Sequence, residues 1–333
     1  MGRKRIVVTG AGGYIGSALV PLLAAKNYAV RCISRSLSSG TGDVARDGIE
    51  HVVADLRRPE AWQEVLFDAA GLVHLAARTD LRAAEADVDR DWDINVRPLT
   101  ALVEARARIG GAALPVVFAS TATIFGDRPL LPVDESRPDN PLSVYDQHKL
   151  TGERILDEAT QAGLLLGRNL RLANVYGFTE DGAARPTVNL NRGILNGMMV
   201  RALKGEALTL FGNGEYLRDF IHLDDVIAAF AAALEISAFA GPRCFVIASG
   251  EGRSLAEAFR IIAEEAVKYT GHHVEVRKVL EPTDMHPTER RNFCGNSSQF
   301  QTTTGWAPGV SLEAGIRRFL HQAAVRRSAL AST

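Results

Sequence analysis

Cysteine is scarce in this chain. Cys32, Cys244 and Cys294 are the whole complement of 333 residues, and no two of them form a C-x-x-C. That leaves no disulfide framework and no metal-ligand spacing, and it points to reduced, structural thiols in a cytoplasmic protein without a metal. Long apolar runs are also missing. None approaches the roughly 18 residues of a membrane span, and the run after the basic Met1–Arg5 stops at Thr9, too short for a signal-peptide core. Ile6 stands where N-myristoylation of Met1-Gly2 would need Ser or Thr. A formal net charge of -1 provides no global field for nucleic acid or an acidic membrane. Internal repeats, low-complexity segments and long linkers are absent as well. What remains is 46% hydrophobic and 23% charged, an ordinary globular composition, long enough for one large or two smaller domains.

Against this background one stretch stands out. Ile6-Val7-Val8 reads as a buried strand, Ser17 to Ala25 as a helix, and Thr9-Gly10-Ala11-Gly12-Gly13-Tyr14-Ile15-Gly16 lies between them. A glycine-rich turn from a first strand into a first helix gathers bare backbone N–H groups and the positive helix end at one point, which suits a dinucleotide pyrophosphate. Gly10, Gly13 and Gly16 are spaced G-x-x-G-x-x-G, one residue longer than the commonest dinucleotide fingerprint. With Tyr14 and Ile15 they are the first candidate cofactor contacts.

Strand and helix alternate through the first half. Residues 29–33, 49–53, 71–75, 114–119 and a segment within 164–172 read as strands. Val88 to Arg108 reads as one long amphipathic helix, and Ser143 to Ala162 as another. Continuous apolar strands between helices predict an α/β fold, a doubly wound parallel sheet of the Rossmann type. Residues 1–176 would form the dinucleotide-binding domain and carry the catalytic residues. After Tyr176 the alternation lapses: a polar loop, Gly177 to Pro186, leads to a helix around Asn191–Leu203. Residues 177–333 therefore read as a smaller mixed α/β substrate lobe, with Cys244-Phe245-Val246-Ile247 a candidate strand returning to the main sheet.

Ser34-Arg35-Ser36 closes the second strand, where an acid would bind NAD ribose hydroxyls and an arginine would accommodate the extra phosphate of NADP. No acid is present, so NAD(P) is expected with a lean to NADP(H) through Arg35. Asp55-Leu56 follows the third strand, where a carboxylate could accept from the adenine amino group. Leu75, Ala76 and Ala77 let the chain pass close under the cofactor, and Asn95 reads as a buried amide holding a helix kink or a water near the active site.

Tyr145 and Lys149, at i and i+4 of one helix, share a face. Tyrosine is a poor base at neutral pH, and a fixed ammonium nearby favours its phenolate. The fifth strand runs into Ser120-Thr121-Ala122-Thr123, which places hydroxyls at the carboxyl edge of a parallel sheet, where ligands bind.

Together these motifs resemble the extended short-chain dehydrogenase/reductase family, in particular its NAD(P)-dependent nucleotide-sugar epimerase, dehydratase and ketoreductase branch. The resemblance spans nearly the whole chain. It takes in the glycines, Asp55-Leu56, His74 to Ala77, Asn95, Ser120-Thr121, Tyr145/Lys149 and Asn174-Val175-Tyr176-Gly177, then Arg218 to Val226 and Gly305-Trp306-Ala307-Pro308. It implies Tyr145 as catalytic acid/base, Lys149 as its partner, which can also hold the nicotinamide ribose, and Thr121 as the catalytic hydroxyl. Ser120 and Thr123 would lie against the sugar, and Asn174 and Arg218 against the diphosphate. Arg290 or Arg291 reads as a second diphosphate clamp, Arg290 first. Phe211-Gly212-Asn213-Gly214 reads equally as a base-binding segment or a simple turn. A homodimer is implied through the helices after the fourth strand and around Tyr145, with Leu99, Leu102, Val103, Leu150 and Leu156 as apolar candidates.

Relatives that eliminate water carry Asp-Glu directly after the catalytic threonine. Here those positions are Ala122 and Thr123, which argues against a 4,6-dehydratase. The expected function is a nucleotide-sugar epimerase acting by transient oxidation at carbon 4. The alternatives are an NADPH-dependent 4-ketoreductase, a small-molecule dehydrogenase and a non-catalytic dinucleotide-binding regulatory protein.

Overall fold

Ile6 and Val8 pack into one apolar cluster and Val7 into another, so the first strand is buried on both faces. That is the condition of a strand inside a parallel sheet covered by helices. The computed structural model describes residues 2–36, 48–127, 130–178, 193–236 and 243–331. Its strands are β1 (Arg5–Thr9), β2 (Ala29–Ser34), β3 (Ile49–Val53), β4 (Ala69–His74), β5 (Leu114–Thr121), β6 (Leu165–Leu172), β7 (Asn174–Tyr176), β8 (Leu208–Phe211), β9 (Leu217–His222), β10 (Cys244–Ile247), β11 (Gly252–Ser254) and β12 (Val276–Val279). The helices are α1 (Tyr14–Ala25), α2 (Pro59–Val65), α3 (Leu81–Ala86), α4 (Val88–Asn95), α5 (Arg97–Ile109), α6 (Val144–Gln161), α7 (Ile194–Leu203), α8 (Leu223–Glu235), α9 (Leu255–Thr270), α10 (Ser298–Thr304) and α11 (Leu312–Ala331).

The main sheet has seven strands in the order β10-β6-β5-β4-β1-β2-β3, and every pairing is parallel. The order reverses between β1 and β4, the switch point at which open α/β sheets bind ligands. β10 does return from the second half of the chain to pair with β6. A three-stranded sheet, β11-β9-β7, and a two-stranded one, β12-β8, build the smaller region. A separate apolar core underlies it, including Met199, Phe259, Ile262, Ile316 and Phe319. Phe178, standing where relatives of the resembled family often have proline, stacks on Phe319 with ring centroids 4.3 Å apart and so fills this core. The rest of the loop expected from Gly177 to Pro186 lies outside the described residues, as do Asn191 and Arg192.

The helix expected over Val88–Arg108 is two helices, broken at Val96. Pro98 is the physical reason. It has no N–H to give to the carbonyl of Ile94, and its ring would clash there, so it opens α5 instead. Leu99, Leu102 and Leu156 lie in the interior between helices and sheet, with Val103 packed against them, and Leu150 is buried. These leucines are core and do not form an exposed face. All three cysteines are free thiols. Among the described residues no helix is long and apolar enough to cross a membrane, and no cluster of His, Cys, Asp or Glu could hold a metal ion.

Candidate active site

The turn from β1 into α1 is shaped by two close approaches. Gly10 has φ +65°, and a Cβ there would sit 2.8 Å from the Ala76 nitrogen. A Cβ on Gly16 would come 2.3 Å from the Gly10 carbonyl oxygen. The Gly13 N–H closes the turn on that same oxygen at 2.9 Å. Gly12, by contrast, has nothing within 4 Å of a built Cβ and is exposed. α1 then starts with no side-chain cap, so its N-terminal backbone donors are left for a ligand. The cradle fits a pyrophosphate. Gly16→Val should push the Gly10–Ala11 backbone out of the turn and lower dinucleotide affinity about tenfold or more, about 1.4 kcal/mol, measured by fluorescence titration with the fold checked by circular dichroism.

Around this cradle the polar groups are held by the protein. Thr9 Oγ1 accepts the Leu75 and Ala76 N–H groups at 3.2 and 3.1 Å and lies 3.0 Å from His74 Nδ1. Burial, and then the charge of Lys149, push the His74 imidazole down to about 3, so it is neutral. The Asn95 amide bonds both ways with Arg78, from its Oδ1 to the N–H and from its Nδ2 to the carbonyl, each at 3.0 Å, and also donates to Asp91 at 2.9 Å. Asn95 therefore pins the chain just past Leu75–Ala77. The Tyr14 hydroxyl donates to the Gly177 carbonyl at 2.6 Å and accepts from Asn196 at 3.1 Å, joining the glycine turn to the smaller region. Ile15 packs against the core. The Ser34 hydroxyl donates to the Ser36 carbonyl at 2.9 Å, and Arg35 is exposed. Arg57 grips Asp55 with bonds of 2.9 and 2.6 Å and holds its carboxyl down to about 2. The adenine contact expected of Asp55 would have to share that carboxylate. Leu56 is buried, and its carbonyl takes the Trp62 indole N–H at 2.8 Å.

The chemical end is where β5 meets α6. Ser143 and Asp146 form a reciprocal capping box that starts α6 at Val144, and this places Tyr145 in the first turn beside the end of β5. Tyr145, Lys149 and Thr121 are all buried to within a few per cent. Lys149 Nζ donates to the Ala119 carbonyl at 2.8 Å, and stands 4.6 Å from the Phe118 ring centroid and 5.8 Å from that of Tyr145. Thr121 Oγ1 is 2.8 Å from Thr123 Oγ1, whose hydroxyl donates to Asp146. Ser120, expected against the substrate, is turned inward instead and donates to the buried Glu153, which Arg171 clamps at 2.7–3.2 Å. Alternation along β5 explains it: adjacent side chains face opposite sides of the sheet.

Asn174 opens β7 opposite Phe220 of β9, two residues from Arg218. Arg218 is buried, and its guanidinium donates to the carbonyls of Leu217, Glu289 and Arg291. A pairing with Asp219 is ruled out, because that carboxylate accepts from Ser249, Gly250 and Gly295. The expectation for Arg290 needs correcting. Its side chain is exposed and pairs with Glu281 at 3.7 Å. Arg291 is the buried one, and its Nε and Nη1 have no hydrogen-bond partner. Burial first, then the charge of Arg218, bring it down to about 10. A buried guanidinium with open donors beside a second arginine calls for an anion. Phe211 to Gly214 closes a turn, the Gly214 N–H on the Phe211 carbonyl at 3.2 Å, with the Phe211 ring exposed.

Asp146 and Glu153 were not among the candidate contacts, and Arg291 was named only as the alternative to Arg290. For Asp146 a signal existed in the S-x-x-D spacing of the capping box. For the other two, nothing local separates a buried charge from a solvated one.

A profile of the NAD dependent epimerase/dehydratase family matches residues 6–248. A UDP-glucose 4-epimerase of Mycolicibacterium smegmatis is 30% identical over 324 residues, covering 94% of this chain and 96% of that one. Among solved structures, UDP-glucose 4-epimerase of Thermotoga maritima with UDP-glucose superposes with a TM-score of 0.81 at 25% identity, covering 98% and 99% of the two chains. The Thermus thermophilus UDP-glucose 4-epimerase complex with NAD gives a TM-score of 0.77 at 26% identity, covering 96% and 98%.

Proposed function

This chain belongs to the NAD dependent epimerase/dehydratase family, and on that premise we propose that it inverts the carbon-4 hydroxyl of a nucleoside-diphosphate sugar. The observation that carries the reading is the end of β5: Thr121 closes that strand, and Lys149 is anchored on its Ala119 carbonyl 5.8 Å from the Tyr145 ring centroid, in the same parallel sheet whose β1 leads into the glycine cradle. A nicotinamide dinucleotide held on Gly10, Gly13 and Gly16 would take up a hydride from the sugar carbon and return it. Tyr145 takes the hydroxyl proton and gives it back on the other face. Lys149, anchored on the Ala119 carbonyl, keeps a positive charge near the phenol and favours its ionised form. Thr121 fixes the reacting oxygen. Arg218 and Arg291 hold the diphosphate, with Asn174 on the neighbouring strand, so that the sugar can turn while the nucleotide stays bound. Relatives with bound UDP-glucose and with NAD support this substrate class and this cofactor class.

Arg291→Met should raise KM for a nucleotide sugar about ten- to a hundredfold, the worth of one or two charge-assisted hydrogen bonds. It should shift the melting temperature little, because Nε and Nη1 make no hydrogen bond in the fold and the buried charge is balanced only at a distance by Asp146. Arg290→Met should change KM by less than about twofold. Equal effects of the two would move the clamp away from Arg291.

An exposed arginine at the end of β2, with no acid beside it, fits a 2′-phosphate as well as ribose hydroxyls. The deciding experiment is mass spectrometry of dinucleotide released from the protein as purified, paired with a carbon-4 epimerisation assay. Stoichiometric NAD with epimerisation supports a closed redox cycle. An empty site that fills with NADPH, with consumption of 4-keto sugars, would replace the epimerase reading with a reductase.

A further inference from the structure

We propose that Asp146 is a positioning residue: acting through Thr123, it turns the Thr121 hydroxyl proton away from the substrate, so the site receives an alcohol and not a ketone at the reacting carbon. This rests on the carbon-4 epimerase reading and deepens it.

The argument is a count of protons. Thr123 has one hydroxyl proton, and it goes to Asp146 Oδ1. The 2.8 Å contact between Thr123 Oγ1 and Thr121 Oγ1 must then use the proton of Thr121. Thr121 Oγ1 also accepts the Thr123 backbone N–H at 3.2 Å. A hydroxyl has one donor and two acceptor sites, so what Thr121 has left to offer a substrate is a single lone pair. The chain cannot easily reverse. Asp146 is wholly buried, its Oδ2 accepts the Ser143 N–H at 3.3 Å, and its own N–H is held by Ser143 Oγ at 3.0 Å. The capping box that starts α6 thus also orients the carboxylate.

A lone pair suits a sugar hydroxyl, which can donate to it, and offers nothing to a carbonyl oxygen, which cannot. In the resting complex the substrate hydroxyl donates to the free lone pair of Thr121; in the reaction its proton passes to Tyr145. The carbonyl oxygen then formed gains no donor from Thr121. At this oxygen the oxidised sugar is held less firmly than the alcohols on either side of it, which leaves the ring free to turn while the diphosphate stays clamped. A ketone arriving from solution would meet the same mismatch.

The test uses the holoenzyme with UDP-glucose and reads the near-ultraviolet absorbance of reduced nicotinamide at steady state, together with KM. Thr123→Val frees the Thr121 proton to donate to the carbonyl. The reduced fraction should rise about three- to tenfold, the worth of one hydrogen bond, while KM for the alcohol rises. Thr123→Ser keeps the chain and should hold the reduced fraction within about twofold of the wild type. Asp146→Asn is the second variant: its amide oxygen can satisfy the Ser143 N–H while its NH₂ donates to Thr123, which reverses the chain and should also raise the reduced fraction. If wild type epimerises but both Thr123→Val and Asp146→Asn keep its reduced fraction, the proposal is wrong and the epimerase reading stands. A wild type that epimerises neither UDP-glucose nor any other nucleotide sugar overturns both.

Discussion

Tyr145→Phe should lower kcat about a hundred- to ten-thousandfold, the range that positioned proton transfer contributes, with KM for the nucleotide sugar nearly unchanged. The phenol lies in the first turn of α6, where Ser143 and Asp146 fix the helix start, and its ring is buried beside β5. Phenylalanine keeps that ring and its packing and removes only the oxygen. The diphosphate contacts proposed for Arg218 and Arg291 are untouched, so ground-state binding should survive, and the loss should fall on the chemical step. Steady-state kinetics with UDP-glucose, beside a titration of nucleotide-sugar binding, separates the two. A variant that retains more than about a tenth of kcat would remove Tyr145 from the role of acid/base.

The second large effect concerns stability. Arg171→Met should destabilise the fold by about 3–5 kcal/mol, seen as a midpoint shift in urea unfolding with the slope unchanged. Arg171 on β6 clamps both carboxylate oxygens of Glu153 on α6, and its Nη1 reaches Asp139 at 2.7 Å. Ser120 donates to the same carboxylate from β5. Side-chain exposures of 6% for Arg171 and 4% for Glu153 mean that removing one partner strands a charge away from water. The double replacement Arg171→Met with Glu153→Leu should recover much of the loss, because apolar groups of similar volume need no solvation. Since Ser120 is the neighbour of Thr121, the single variant should also lose activity before it unfolds globally. A shift below about 1 kcal/mol would show that Glu153 finds water or another partner when Arg171 is gone.

The elements set by local pattern were legible in the sequence. The glycine turn could be read because Gly10 and Gly16 answer to steric conditions that no other residue meets. The parallel sheet could be read because the interior of a strand buried on both faces must be a continuous apolar run, as in Ile6-Val7-Val8 of β1 and Val116-Val117-Phe118-Ala119 of β5. Tyr145 and Lys149 could be read because helical periodicity alone puts them on one face. The break at Val96 was also present in the sequence, in Pro98, and the amphipathic spacing from Trp92 to Val103 obscured it.

The fate of each polar group was not legible. Ser120 and Thr121 are adjacent hydroxyls, and only the pleat of β5, placed over α6, sends one to Glu153 and leaves the other in the relay to Asp146. Arg290 and Arg291 are adjacent arginines, and the path of the chain leaves one in solvent with Glu281 and buries the other beside Arg218. The sequence by itself determined the elements and their class, because propensity and periodicity act over a few residues. Only the tertiary structure decided which hydroxyls and charges are buried and which partners they hold, because those partners come from segments far apart in the chain.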